Sequence, residues 1–276
     1  MTSKTHHHVI PGFNLTLGIT LFWLGLIVLL PLSALFVRAA AGNWAEVMSA
    51  AFSARAIAAY KVSFGTAAIA AGINLVFGLL VAWVLVRYHF IGRRILSAMV
   101  DLPFALPTAV AGIALTAIYA DTGLIGQWAA RYGISLAYQP QGIVIALMFI
   151  GLPFIVRTVE PVLEDLGRDI EEAAATLGAT RFQIFSKVVL PEISPALMTG
   201  FALAFARGVG EYGSVIFIAG NMPFKSEIAP LLIVTSLEAY DYVGATSIAV
   251  VMLLASLSVL GLINFIQNRQ RVRRGL

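Results

Sequence analysis

EEAAATLGATRFQIFSKVVLP, residues 171–191, lies in a charged neighbourhood of a chain that is otherwise 59% hydrophobic. Seven of the fourteen carboxylates fall between 160 and 192: Glu160, Glu164, Asp165, Asp169, Glu171, Glu172 and Glu192. Asp169, with Glu172 three residues on, makes a capping-box-like start in which the Asp accepts from first-turn amides and the Glu reaches back. Negative charge there also suits the positive end of a helix. Ile170, Ala174 and Leu177 follow at i, i+4 and i+7, forming one apolar face. Gly178 is free to take the left-handed conformation that ends a helix. Thr180 with Gln183 forms a second capping box, opening a helix whose Phe182, Phe185 and Val189 share a face and which Pro191 closes. The stretch reads as two short amphipathic helices meeting at a glycine.

What surrounds this loop decides the fold class. A helix rises about 1.5 Å per residue, so about 20 apolar residues cross the hydrocarbon core. Six runs reach that length, at 14–37, 62–86, 95–120, 142–159, 195–220 and 243–266. None alternates with a strand period. The expectation is an all-α polytopic membrane protein with six transmembrane helices. The milder segment 44–61 reads as an interfacial helix and not as a seventh span. Twelve Lys and Arg residues, among them Lys4, Arg87, Arg93, Arg157 and Arg168, flank the runs on the side of the acidic loop; five lie on the other side, and Arg207 falls inside a run. By the positive-inside rule both termini and the acidic loop are cytoplasmic. Trp44, Trp83 and Trp128 fall near span ends, at headgroup level.

Composition removes several function classes. With no cysteine, disulfides, thiolate metal sites and a Cys nucleophile are excluded. The net charge of +4 comes from residues flanking apolar runs, which is a topology signal and not a nucleic-acid footprint. No G-x-x-x-x-G-K-[ST] occurs, so this chain does not cradle nucleotide phosphates by itself, and no cofactor is expected on it. H-E-x-x-H and G-x-S-x-G are absent as well. The N-terminal segment, residues 1–13, lacks a signal-peptide h-region, and the run that follows is long enough to be a retained span. His6, His7 and His8 read as a mobile tail or tag remnant and not as a metal site.

Glu172-Ala173-Ala174, Gly178 and, nine residues later, Val188-Val189-Leu190-Pro191 follow the pattern E-A-A-x3-G-x9-I-x-L-P, with Val188 for the usual Ile. In this the chain resembles the permeases of ABC importers. DLPFALPTAVAGIAL (101–115), PFIVRTVEPVLEDL (153–166), ARGVGEYGSVIFIAGN (206–221) and EIAPLLIVTSLEAYDYVGAT (227–246) are similar to the sulfate/thiosulfate branch of that family. The likeness runs from Pro11 to about Gln267. It implies the type I ABC importer permease fold, in the inner membrane of a bacterium. A type-1 transmembrane domain would span 60–267, after a first helix and outer segment at 14–59 and before a basic tail at 268–276. The loop at 160–192 would be the coupling loop, docking on a separate ATPase subunit through Glu171, Glu172, Ala173, Ala174 and Gly178. The implied partners are a homologous W permease subunit forming a heterodimer, two ATPase subunits holding ATP and Mg, a periplasmic sulfate-binding protein and membrane lipid. Molybdate permeases share the loop and parts of the third span, so a molybdate- or tungstate-type permease is the alternative.

Ionisable groups inside a bilayer cost about 2.5–3.5 kcal/mol or more, and they face an interior, water or a partner. Arg207 and Glu211 stand four apart, on one helix face. They read either as an ion pair holding the bundle together or as positive potential on the path of a dianion, with Glu211 holding Arg207. Asp101 reads as a helix cap or an interhelical partner. Pro103 and Pro107 within one run favour a kink or break, which is either a gate beside the pathway or a packing feature; Tyr212 joins these as a pathway candidate. Small residues from Gly200 to Gly213 allow close helix contact. An ion-coupled secondary transporter would need matched carboxylates or broken half-helices in two repeats, and no repeat is evident. An intramembrane enzyme would need a paired nucleophile and base, which the runs lack.

Overall fold

The computed structural model describes residues 13–40 and 42–273; the histidine run at 6–8 lies outside the described residues. Among the described residues all regular structure is helical. The elements are α1 (Phe13–Ala40), α2 (Trp44–Ala51), α3 (Ala54–Arg87), α4 (Arg93–Ala105), α5 (Thr108–Tyr119), α6 (Leu124–Ala130), α7 (Pro140–Asp165), α8 (Asp169–Thr176), α9 (Arg181–Val209), α10 (Val215–Ile218), α11 (Ala229–Glu238) and α12 (Tyr242–Arg273). Five of these, α1, α3, α7, α9 and α12, contain a segment apolar and long enough to cross a membrane, and the bent pair α4–α5 makes a sixth if it is one span.

The elements depart from the run-by-run expectation in ways that follow from local chemistry. Ser53 caps α3 by accepting from Ala56 N, so the segment 44–61 is not one interfacial helix: α2 takes its first half, and the rest is the opening of α3. At 34 residues, α3 is about 51 Å long, well beyond the roughly 30 Å hydrocarbon core. The third run breaks: the chain bends by 113° from α4 to α5. Leu106 is extended, with ψ 136°, ahead of Pro107 at φ −56°, because a residue before proline is pushed out of the helical region.

Pro191 does not end a helix, contrary to the local reading. Residues 181–209 run on as α9, with a π-turn at Phe185–Val189 in which Leu190 N donates to Phe185 O. The same device stands in α1, where a π-turn at Gly25–Leu29 precedes Pro31 and Leu30 N donates to Gly25 O. A proline removes a donor and crowds the carbonyl four residues back; one widened turn just before it relieves both. The apolar run at 195–220 is likewise not one span, since α9 stops at Val209 and the chain turns.

The core is a three-helix unit of α3, α7 and α9. Ala67, Ala70, Ala71 and Leu85 of α3 meet Ile155, Val156, Val159 and Leu163 of α7 and Ile193 and Ala204 of α9, all buried. The small residues of α9 serve this contact: a Cβ on Gly200 would lie 3.0 Å from Ile155 Cα, and one on Gly208 would lie 3.3 Å from Ala67 Cβ. Asn74, buried in α3, donates to Met148 O of α7 at 3.0 Å. By contrast α1 buries none of its apolar window within this chain; its end is held where Arg38 lies over the Tyr242 ring of α12.

Candidate functional site

α8 starts with Arg168 already in the helical conformation at its N-cap, and no side chain caps it. The expected Asp169–Glu172 capping box is therefore not made: Asp169 stands one residue past the N-cap position. Asp169, Glu171 and Glu172 still occupy the first turn, where the helix dipole favours negative charge. The other end is as expected. Gly178 has φ +84°, Gly178 N donates to Ala175 O at 3.0 Å and Ala179 N donates to Ala174 O at 3.1 Å, the two bonds of a Schellman stop. Thr180 Oγ1 then accepts from Gln183 N, and Gln183 Oε1 accepts from Thr180 N, the second capping box.

This turn presents apolar side chains outward. Leu177 is 88% exposed and Phe182 76%, with Ile170 also open. Glu172, Ala173 and Gly178 are exposed and Ala174 is half-buried, but Glu171 turns inward. Its Oε1 lies 2.7 Å from Arg87 Nη2 at the end of α3. Phe185 and Val189 do not share the exposure of Phe182: Phe185 meets Trp83 edge to face, and Val189 is fully buried. So α9 leaves the loop as an exposed helix and enters the core across its π-turn.

Four of the membrane candidates gather at one junction. Arg207 lies in the last turn of α9, and its Nη1 is 2.5 Å from Glu211 Oε2 just beyond the helix end. Glu211 is 2% exposed, and its Oε1 accepts from Ser214 N at 3.0 Å and Ser214 Oγ at 3.1 Å. The Arg207 side chain remains 38% exposed. Tyr212, next to Glu211 in the chain, is half-buried. Opposite this turn stands the start of α5, directly after Pro107: a Cβ on Gly213 would lie 2.2 Å from Thr108 Oγ1, and one on Gly112 would lie 2.4 Å from Ser214 O. Pro103 sits apart, half-buried inside α4. That helix is tied to α7 by Arg157, whose Nε and Nη2 donate to Asp101 and whose Nη1 donates to Glu160. Asp101 is thus an interhelical partner and not a cap, and Arg157 lies within α7.

Residues 74–272 match the family described as binding-protein-dependent transport system inner membrane component. The chain belongs to this family. As an inner membrane component it is 51% identical to the Escherichia coli (strain K12) protein named sulfate transport system permease protein CysT, over 98% of this chain and 97% of the relative. It is 50% identical to the protein of that name in a Synechocystis species, over 91% of this chain and 87% of the relative. Among solved structures it resembles a chain of a bacterial ABC transporter involved in the import of the acidic polysaccharide alginate, with TM-score 0.76 at 15% identity, covering 93% of this chain and 95% of that one. It also resembles a chain of the inward-facing MetNI methionine ABC transporter, with TM-score 0.56 at 22% identity, covering 78% and 94%. The fold is that of the membrane chains of ABC importers.

Sequence reasoning did not single out two ion pairs of this inner membrane component. Arg55 donates through Nε and Nη2 to both oxygens of Glu227, which is 1% exposed. Arg87, which the sequence marks only for topology, has a buried side chain and contacts Glu171 and Gly167 of the loop at 160–192. Neither leaves a periodic signal. The one available hint for Arg87 was Trp83 four residues earlier, an aromatic face on which a guanidinium stacks.

Proposed function

We propose that this chain is a permease subunit of an ATP-driven importer of sulfate, with thiosulfate as a second cargo. The supporting observation is its 51% identity, over nearly the whole chain, to a protein named as a sulfate transport permease. In this reading the six spans place both termini and the loop at 160–192 in the cytoplasm. The exposed turn of Leu177, Gly178 and Phe182, with Glu172 and Ala173 beside it, docks on a separate ATPase subunit, where Glu172 meets a basic group. A homologous W permease completes the membrane dimer, two ATPase subunits hold ATP and Mg, and a periplasmic binding protein delivers the anion. Closure of the ATPases draws the two docking loops together and turns the cavity outward. The sulfate enters it and is released inside after hydrolysis. The half-exposed Arg207 supplies positive potential to the dianion while Glu211 fixes its side chain, and the break at Pro107, together with Pro103 in α4 and Tyr212 after α9, forms the gate.

Uptake by the reconstituted complex tests this, with labelled sulfate and labelled molybdate compared with and without ATP. ATP-dependent sulfate uptake is the expected result. Preference for molybdate transfers the chain to the molybdate-type reading, and uptake without any ATPase subunit removes the importer reading altogether. Arg207→Ala should lower sulfate uptake about tenfold while the complex still assembles; if assembly collapses with it, Arg207 only holds the bundle together.

A further inference from the structure

We infer that Arg87 transmits movement of the docking helix α8 to the membrane helix α3, acting as a positioning residue for coupling. The inference rests on the permease reading above and concerns how force crosses from the loop into the bundle.

Arg87 is the last residue of α3, and its side chain is 8% exposed. One guanidinium touches three successive parts of the loop. Nη1 donates to Leu163 O in α7 at 3.0 Å, Nη2 donates to Gly167 O in the linker at 3.2 Å, and the same Nη2 stands 2.7 Å from Glu171 Oε1 in the first turn of α8. Arg168, the N-cap residue of α8, donates in return to Arg87 O at 2.5 Å. The guanidinium is backed by its own helix, lying over the Trp83 ring at 5.6 Å, and Trp83 meets Phe185 of α9 at 5.8 Å. Among the described residues, the polar contacts between segment 167–176 and α3 all involve Arg87. A planar guanidinium can serve several acceptors in fixed directions, which an ammonium cannot.

The surroundings leave α8 room to move. A cleft of about 570 Å³ opens beside the contact, lined by Trp83, Arg87, Arg168, Glu171, Glu172 and Arg181 among others. The Glu171 contact is a close ion pair without hydrogen-bond geometry, and Arg87 Nε and Glu171 Oε1 are buried without a hydrogen-bond partner. Without the Arg87 side chain, α8 would keep its own Schellman stop and its exposed docking residues but would be tied to α3 only through the exposed Arg168 bond to the backbone carbonyl at 87. It could then follow an ATPase subunit into the cleft while α3 stayed still.

The test uses the full complex with Arg87→Ala, Arg87→Lys and Glu171→Gln. For Arg87→Ala the ATPase subunits should co-purify as with wild type and hydrolysis should persist, while sulfate taken up per ATP falls about tenfold. Arg87→Lys should fall in between, because an ammonium reaches fewer of the acceptors at once. Glu171→Gln, which keeps both carbonyl contacts, should cost about threefold. Spin labels at Thr176 on α8 and Leu80 on α3 give a second readout: their separation should be unchanged by ATP in wild type and should shift in Arg87→Ala. Wild-type uptake per ATP in Arg87→Ala, with an unshifted label distance, overturns the inference. So does loss of ATPase binding in all three variants, which would make Arg87 a fold residue only. If Arg87→Ala alone fails to assemble, Arg87→Lys carries the same test. A wild-type complex that hydrolyses ATP without taking up sulfate sinks the cargo reading but leaves the label distance to judge the link.

Discussion

The loop at 160–192 and the turn at 210–214 each hold a glutamate against an arginine, and they use the pair in opposite ways. In the membrane turn Glu211 is the buried partner, gripped by Arg207 and by two donors of Ser214, and the start of α5 closes over it. In the loop Arg87 is the more buried partner, and the carboxylate at 171 hangs on it from a helix whose other polar residues face outward. The first arrangement locks a backbone turn in place. The second attaches an exposed element to the core. Damage to the turn should therefore appear as lost stability, and damage to the loop as lost partner binding or lost coupling with the fold intact.

Gly112→Val is the severest way to break this contrast. Its Cβ would overlap the Ser214 carbonyl, and overpacking against backbone should cost about 3 kcal/mol, read as a lower melting temperature in detergent. A wild-type melting temperature would mean that α5 does not close over the turn. Glu211→Ala comes next, at about 2 kcal/mol, because it strands two donors of the buried Ser214 and leaves Arg207 unpaired. Glu211→Gln should recover part of that by restoring an acceptor; equal losses in both variants would refute the hydrogen-bonding account. In the loop, Thr180→Ala should cost about 1 kcal/mol of local stability, seen as faster amide exchange over 181–184 with no change in global melting. Protection that stays as in wild type would show that the cap contributes nothing there. Glu172→Lys is the smallest on this scale, within about 0.5 kcal/mol for an exposed site. Yet it should weaken ATPase-subunit association about tenfold. Unchanged association would remove Glu172 from the interface and blur the distinction between the two regions.

How much of this was legible depended on how far apart the interacting groups lie. The Schellman stop at Gly178 and the Thr180–Gln183 box could be read because each is completed within six residues. Asp169 was misplaced by one position because the conformation of Arg168, which sets where α8 begins, carries no residue-type signal. Pro191 was misread as a stop because a proline says that a donor is missing, not whether a π-turn will absorb the loss. The spacing of Arg207 and Glu211 predicted their pairing correctly, although Glu211 turned out to lie beyond the helix end. Ser214 and the approach of α5 were invisible, since both depend on where the broken third span returns. Asp101 could be read as an interhelical partner, but not that its partner is Arg157, 56 residues on, and Arg55–Glu227, separated by 172 residues, had no local trace.

By itself the sequence determined the number and length of apolar runs, a kink or break within the run that holds Pro103 and Pro107, the helix–glycine–helix form of the loop and the family to which the chain is similar. Each of these is set by bilayer thickness, by the missing donor of a proline or by hydrogen bonds within one turn. Only the tertiary structure decided which arginine meets which carboxylate. Charges in an apolar bundle must find partners, and the partner is chosen by the packing of α3 against α7 and α9, which brings residues distant in the chain to the same height along the helices. That packing sets Arg87 against the start of α8.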